Sequence, residues 1–307
     1  MGSKIGHVAP GFGFLIIGLW HLYNNIKLFS YHPNTFRSHS WFPFPKKFRH
    51  LELVLIAMGG CTSIAMELFI GPSRHQPLDV DFTIPSNHLH NFEHSSITLS
   101  FVIYAVFAIA LDRAARPAAA RPLTFVASTV AFGQEFLLFY IHSTDHTGLE
   151  GQYHWLLRIV IAVSFATSLL GISHPCNFAI AFVRSASIAL QGIWNIFLGY
   201  ALWTPAFIPK GCFLHDENVH SSVRCRSDEA LHRAKSLANN EFSWVVSASV
   251  IFSFLFYLYL SRRYEKELEY EPIDVEELDD SELRKKINSK LGESDAVVLL
   301  EKVMRAV

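Results

Sequence analysis

Residues 178–203, FAIAFVRSASIALQGIWNIFLGYALW, hold one charged side chain, Arg184, in an otherwise apolar run. A helix needs roughly 20 mostly apolar residues to cross a hydrocarbon core of about 30 Å, and this stretch meets that length. Its polar members Arg184, Ser187, Gln191 and Asn195 recur at three- and four-residue steps, which places them on one stripe of the helix. A polar stripe inside a span turns toward protein, either to pack against neighbouring helices or to line a substrate path. Six further segments reach a similar length and apolarity, at about 10–30, 51–70, 94–112, 124–142, 154–173 and 243–261.

Composition points the same way. Of 307 residues, 50% are hydrophobic and only 17% charged, too apolar for an ordinary soluble domain. A net charge of -1 offers no field for a phosphate backbone, so nucleic acid is excluded as a partner. No nucleophile elbow, phosphate loop or dinucleotide fingerprint is found. The first segment lacks the features of a removable signal and is expected to stay in the mature protein. Prolines punctuate the connections: Pro33, Pro43 and Pro45, then Pro77 and Pro85, Pro117 and Pro122, Pro175, and Pro205 with Pro209. The very short connection at Pro175 also admits one long kinked element, and with it a six-span count. The expected fold is therefore an all-α, polytopic seven-helix bundle over 1–261. An acidic, largely flexible tail follows over 262–307, ending in a short stretch with apolar residues at helical spacing.

Orientation follows from lysine and arginine in the short loops. Arg37, Lys46, Lys47 and Arg49 follow the first span, Arg113, Arg116 and Arg121 the third, and Arg262, Arg263 and Lys266 the seventh. After the second there is only Arg74, and after the fourth nothing basic. The N-terminus is thus expected outside or in a lumen and the tail in the cytosol. Lys210, Arg224, Arg226, Arg233 and Lys235 run against this, but their loop is the longest, where the rule is weakest. Cys212 and Cys225 share that loop and become a disulfide candidate if it faces an oxidising compartment. Cys61 and Cys176 read as small buried thiols.

Ionisable groups inside a span are costly, so each calls for a partner or a function. Here they converge on the expected outer face. Glu67 lies near the end of the second span, His90 and His94 at the start of the third, and Glu135 in the outer half of the fourth. His142 and His146 close the fourth span, and His154 opens the fifth. Glu135 and His142 are seven apart and His142 and His146 four apart, which gives one helical stripe; His90 and His94 repeat the four-residue step. Imidazole and carboxylate from facing helices hold zinc, iron or manganese, so Glu67, His90, His94, Glu135, His142, His146 and His154 form a candidate metal set, with Glu135 as candidate general base. The plainer reading is a polar network, with each histidine bonded to a backbone carbonyl, water or headgroup. His21 and Arg158 read as interfacial or paired residues. Trp20, Trp41, Trp155, Trp203 and Trp244 read as interfacial anchors. His215, Asp216, Glu217, His220 and His232 either extend the site or are solvated.

The opening Gly6-His7-Val8-Ala9-Pro10-Gly11, followed by Gly18-Leu19-Trp20, resembles the start of the transmembrane protein 45 family, including its plant virus-response-like members. Glu67 before Leu68-Phe69-Ile70, His94, Glu135 seven residues before His142, His154-Trp155-Leu156-Leu157 and Leu190-Gln191-Gly192-Ile193-Trp194 fit the same pattern in order. His142-Ser143-Thr144-Asp145-His146 is similar to the plant form, whereas animal members place the second histidine two residues after the first and carry a histidine at the position of Val245. The resemblance implies a seven-helix membrane protein of unassigned biochemistry linked in plants to stress or defence responses.

These readings lead to a multi-pass protein of the endomembrane system or plasma membrane whose His/Glu cluster binds a transition metal and acts on a lipid or small amphiphile. The alternative is a transporter or signalling adaptor that uses the cluster as a proton or ion relay and recruits a protein through its acidic tail.

Overall fold

The computed structural model describes residues 4–70, 76–145, 148–217 and 220–270. The chain divides into two units, Met1–Tyr264 and Glu265–Val307. The apolar stretch expected at the end of the tail lies outside the described residues, as do Arg74 and His146.

Seven helices in the first unit are long and apolar enough to cross a membrane. They are α1 (Lys4–Tyr31), α2 (Leu51–Ala65), α3 (Leu89–Ala114), α4 (Pro117–Asp145), α5 (Leu149–Ser173), α6 (Phe178–Trp203) and α7 (Asp228–Tyr270). A π-helical turn, Met66–Ile70, continues α2. The seven-helix bundle is therefore present, and α5 and α6 are separate helices joined through Pro175 rather than one kinked element. Several helices begin earlier than their apolar runs. Hydropathy marks only the part that needs lipid, whereas a helix satisfies its own backbone on either side of that boundary. Thus α5 starts at Leu149 rather than 154 and α7 at Asp228 rather than 243. Pro117 opens α4 at the position where a missing N–H costs nothing, and Pro122 is carried inside the helix.

Burial is arranged for lipid outside and protein inside. On α7, Ile251, Leu255 and Tyr259 are about 60% exposed, while Trp194 and Leu198 of the central α6 are fully buried. Cys61 and Cys176 are exposed rather than buried, because each lies on a bundle surface. The tightest helix pair is α1 against α6. A Cβ on Gly18 would lie 2.2 Å from the Ala189 amide nitrogen, and one on Gly192 would lie 2.3 Å from that of Leu15. Since hydrocarbon tails are as apolar as leucine, helices in lipid associate through such close backbone approach.

An all-α chain was expected, yet the connection from α6 to α7 folds as an antiparallel hairpin of β1 (Cys212–Glu217) and β2 (His220–Cys225). Cys212 pairs opposite Cys225 and the two form a disulfide. Leu214 opposes Val223, and both pack on the cluster of Leu149, Tyr153 and Leu202 at the ends of α5 and α6. The hairpin thus closes the face of the bundle on which α1 begins, called here the N-terminal face. The loops after α1 and α3 lie at the opposite, basic face.

Candidate functional site

On the N-terminal face, four chain segments bring buried polar side chains together. His154, one turn into α5, is fully buried, and its Nδ1 lies 2.9 Å from the Glu150 carbonyl oxygen one turn earlier. A carbonyl only accepts, so Nδ1 carries the proton and Nε2 presents its lone pair. That lone pair faces His7 Nε2 at 3.2 Å. His7 projects from the first turn of α1, stacked on Trp203 of α6 with ring centroids 4.8 Å apart. Gly199 permits this approach, since a Cβ there would lie 3.3 Å from His7 Cβ.

Glu67 belongs to the π-helical turn and is 5% exposed. Asn91 of α3 donates to both the Glu67 carbonyl oxygen, at 3.1 Å, and Oε2, at 2.9 Å. This draws a main-chain acceptor away from regular helical pairing, and such π turns often accompany functional sites. His94, one turn along α3, places Nδ1 3.5 Å from Glu67 Oε1. His7 is close enough to act electrostatically on Glu67, which links the two pairs. His90 meets Glu93 on its own helix at 3.2 Å.

The sequence-expected set is thus divided. Glu67 joins His94, His154 joins His7, and His90 turns to Glu93. Glu135, 2% exposed, accepts from Gln191 Nε2 on α6, while Glu135 Oε2 and Gln191 Oε1 have no partner among the described residues. The side chain of His142 and the whole of His146 lie outside the described residues. Among the described residues, no three histidine, cysteine, aspartate or glutamate side chains gather as a metal group. His7 is the member that sequence reasoning missed. Its signal was a histidine at the beginning of the first apolar run, on the face where the other candidates converge. His88 also went unnoticed; it is 3% exposed, and neither ring nitrogen has a hydrogen-bond partner among the described residues. His232, placed by sequence in the last loop, lies near the start of α7 and is exposed.

A second polar centre lies toward the basic face. Glu52 of α2 is buried and accepts from His21 Nε2 at 2.7 Å, Trp20 Nε1 at 3.1 Å and the Phe42 amide at 2.9 Å. It thereby anchors the loop after α1 to the bundle. Tyr104 donates to the Ser40 carbonyl oxygen at 2.6 Å, and Arg184 donates to that of His39. Burial, with the nearby Arg121, Arg184 and His21 charges, pushes the His39 imidazole down to about 4, so it stays neutral near pH 7. Arg184, Ser187, Gln191 and Asn195 are all buried; Ser187 and Gln191 bond to Ser164 of α5 and Glu135 of α4, which favours interhelical packing for the stripe, while Arg184 reaches the loop after α1. His21 is paired rather than interfacial, and Arg158 lies over the Tyr140 ring at 4.7 Å.

Residues 121–258, from the first turns of α4 into α7, match a family of unknown function (DUF716), which is the family of the transmembrane protein 45 proteins. The match covers Glu135, His154 and the whole hairpin, and leaves His7, Glu67 and His94 outside it.

Proposed function

We propose that the N-terminal face of this multi-pass membrane protein is a divalent transition-metal site, with His7 and His154 as nitrogen ligands and Glu67 and His94 as the adjoining carboxylate and imidazole. The observation that carries the reading is the 2.9 Å approach of His154 Nδ1 to the Glu150 carbonyl oxygen. That nitrogen donates to a backbone carbonyl, the outer support that metal-binding histidines nearly always have, and the ring's Nε2 is turned toward His7 Nε2. The 3.2 Å between the two Nε2 atoms matches the edge of a tetrahedral shell with metal–nitrogen bonds of about 2.0–2.1 Å. Zinc, iron and manganese all suit imidazole with carboxylate. Phe69 and Ile70, beside Glu67, are more than half exposed toward the bilayer, so an amphiphile from that leaflet is the substrate class within reach of a water activated on the metal.

Two features support placing this face outside or in a lumen. The Cys212–Cys225 disulfide belongs to oxidising compartments, and the loops after α1 and α3 carry the basic residues that remain cytosolic. The family match and the sequence resemblance together support membership among the plant virus-response-like members of the transmembrane protein 45 family.

Elemental analysis of the detergent-purified chain, beside a His7→Ala, His154→Ala double variant of equal monodispersity, tests the reading. Near-stoichiometric metal in the first and its loss from the second is expected. A wild-type chain free of metal after purification in metal-supplemented buffer overturns it and favours a shared proton between the two imidazoles, the step a proton relay would use.

A further inference from the structure

At the basic face a cavity of about 210 Å³ opens between the loop after α1, the first turns of α4 and the end of α5. It is lined by Arg37, Arg121, Phe125, Gly171, Pro175 and neighbouring α4 residues, with no carboxylate among them. Both arginines are exposed, and neither forms an ion pair or hydrogen bond among the described residues. By contrast, Arg49 in the same loop makes two 2.8 Å bonds to Asp112. The floor is fixed. Arg184 stacks 4.6 Å over the Phe125 ring, so a third cation, this one buried, lies behind it. Ser38, next to Arg37, donates to the Pro175 carbonyl oxygen at 2.8 Å, which ties the loop to the α5–α6 turn and holds the mouth in shape. Gly171 lets α5 pack closely on this floor, since a Cβ there would lie 2.8 Å from a Phe125 ring carbon.

We propose that this cavity binds a phosphate group, held by Arg37 and Arg121 and supplied by the headgroup of an anionic phospholipid in the leaflet at the basic face. Two guanidinium forks without counter-ions match phosphate oxygens in charge and geometry. A basic pocket between spans at the end of the hydrocarbon region is where lipid headgroups are recognised. Leu123 on α4 and Leu169 and Leu170 on α5, each 44–50% exposed and close in sequence to the lining residues Pro122 and Gly171, are apolar surface available to acyl chains.

The test is native mass spectrometry of the full chain in a mild nonionic detergent. The added ligands are a short-chain phosphatidylglycerol, a phosphatidylcholine of equal chain length, or inorganic phosphate. One saturable phosphatidylglycerol adduct is expected, and Arg37→Gln, Arg121→Gln should weaken it about 30-fold at roughly tenfold per 1.4 kcal/mol and ~1 kcal/mol per basic side chain. Arg113→Gln, Arg116→Gln removes the same charge from exposed positions outside the cavity and should leave the affinity unchanged. Competition by inorganic phosphate at similar concentration would keep the phosphate site but make free phosphate its ligand. Equal weakening by both double variants, or none by the first, overturns the site. Since both cavity arginines are exposed, folding should survive; Arg121→Gln alone, with about a fivefold loss expected, serves if the double variant is not monodisperse.

Discussion

Replacing Gly192 by alanine adds a single methyl group where α6 meets α1. That methyl would lie 2.3 Å from the Leu15 nitrogen, 2.6 Å from the Gly11 carbonyl oxygen and 2.7 Å from the Leu15 Cα. All three are backbone atoms, so no side chain can rotate away, and carbon contacts relax only near 3.5–4.0 Å. The two helices must therefore part by about 1 Å, which forfeits a quarter to a half of the dispersion attraction across the seam. Overpacking of this kind costs about 1–3 kcal/mol, and we expect the upper half of that range because the displaced elements are whole helices. Gly13, on the same α1 helix, has nothing within 4 Å of its added Cβ and provides the control. Its alanine variant should be neutral or up to ~1 kcal/mol more stable through helix propensity. The assay is equilibrium unfolding in mixed micelles, followed by tryptophan fluorescence, to which the buried Trp194 beside the seam contributes. Gly192→Ala within about 0.5 kcal/mol of the wild type would refute the claim that backbone contact holds α1 to α6.

Three further outcomes are expected. Glu52→Leu strands the Trp20, His21 and Phe42 donors in a dry interior; a loss of about 3 kcal/mol or more should appear in the same unfolding assay, with the loop after α1 becoming protease-sensitive. His39 titrates near 4 when folded against 6.5 when free, so the stability it contributes is full above pH 6.5 and falls away as pH drops toward 4. His39→Gln should flatten the stability profile in that window, and an unchanged slope would assign it to other groups. Cys212→Ser opens a loop whose ends are 13 residues apart, for which the chain-entropy model gives about 3 kcal/mol. Reductant should lower the melting temperature of the wild type and leave that of the variant alone.

Sequence reasoning recovered the seven spans because lipid imposes one requirement on all of them, an unbroken apolar length. It also placed the α6 stripe toward protein, since residues at three- and four-residue steps share a side whatever they touch. It could not pair α1 with α6, because Gly18 and Gly192 act by letting two backbones meet and no period announces which helix arrives. Glu52 escaped notice for a related reason. At the edge of its span nothing in the sequence separates it from a first-turn carboxylate facing water, and only the returning loop with Phe42 makes it a buried acceptor. The hairpin was hidden in a loop read for charge rather than for alternation. The grouping of Glu67 with His94 followed from depth along the helices, whereas the His7–His154 contact depends on how α1 is rotated against α5 and α6, which spacing within one helix does not encode.

The pairing of α1 with α6 sets a schedule for biogenesis. The residues that meet at Gly18 and Ala189 are separated by roughly 170 positions, so at about 5–20 residues per second the first helix waits some 10–30 s in the bilayer before its partner is synthesised. During that interval its glycine face is open to lipid, and Asn25, whose mate Ser185 arrives with the sixth helix, is unsatisfied. Ribosome pausing or truncation before α6 therefore leaves a defined polar lesion in the membrane, one that a membrane-embedded chaperone or protease is suited to detect.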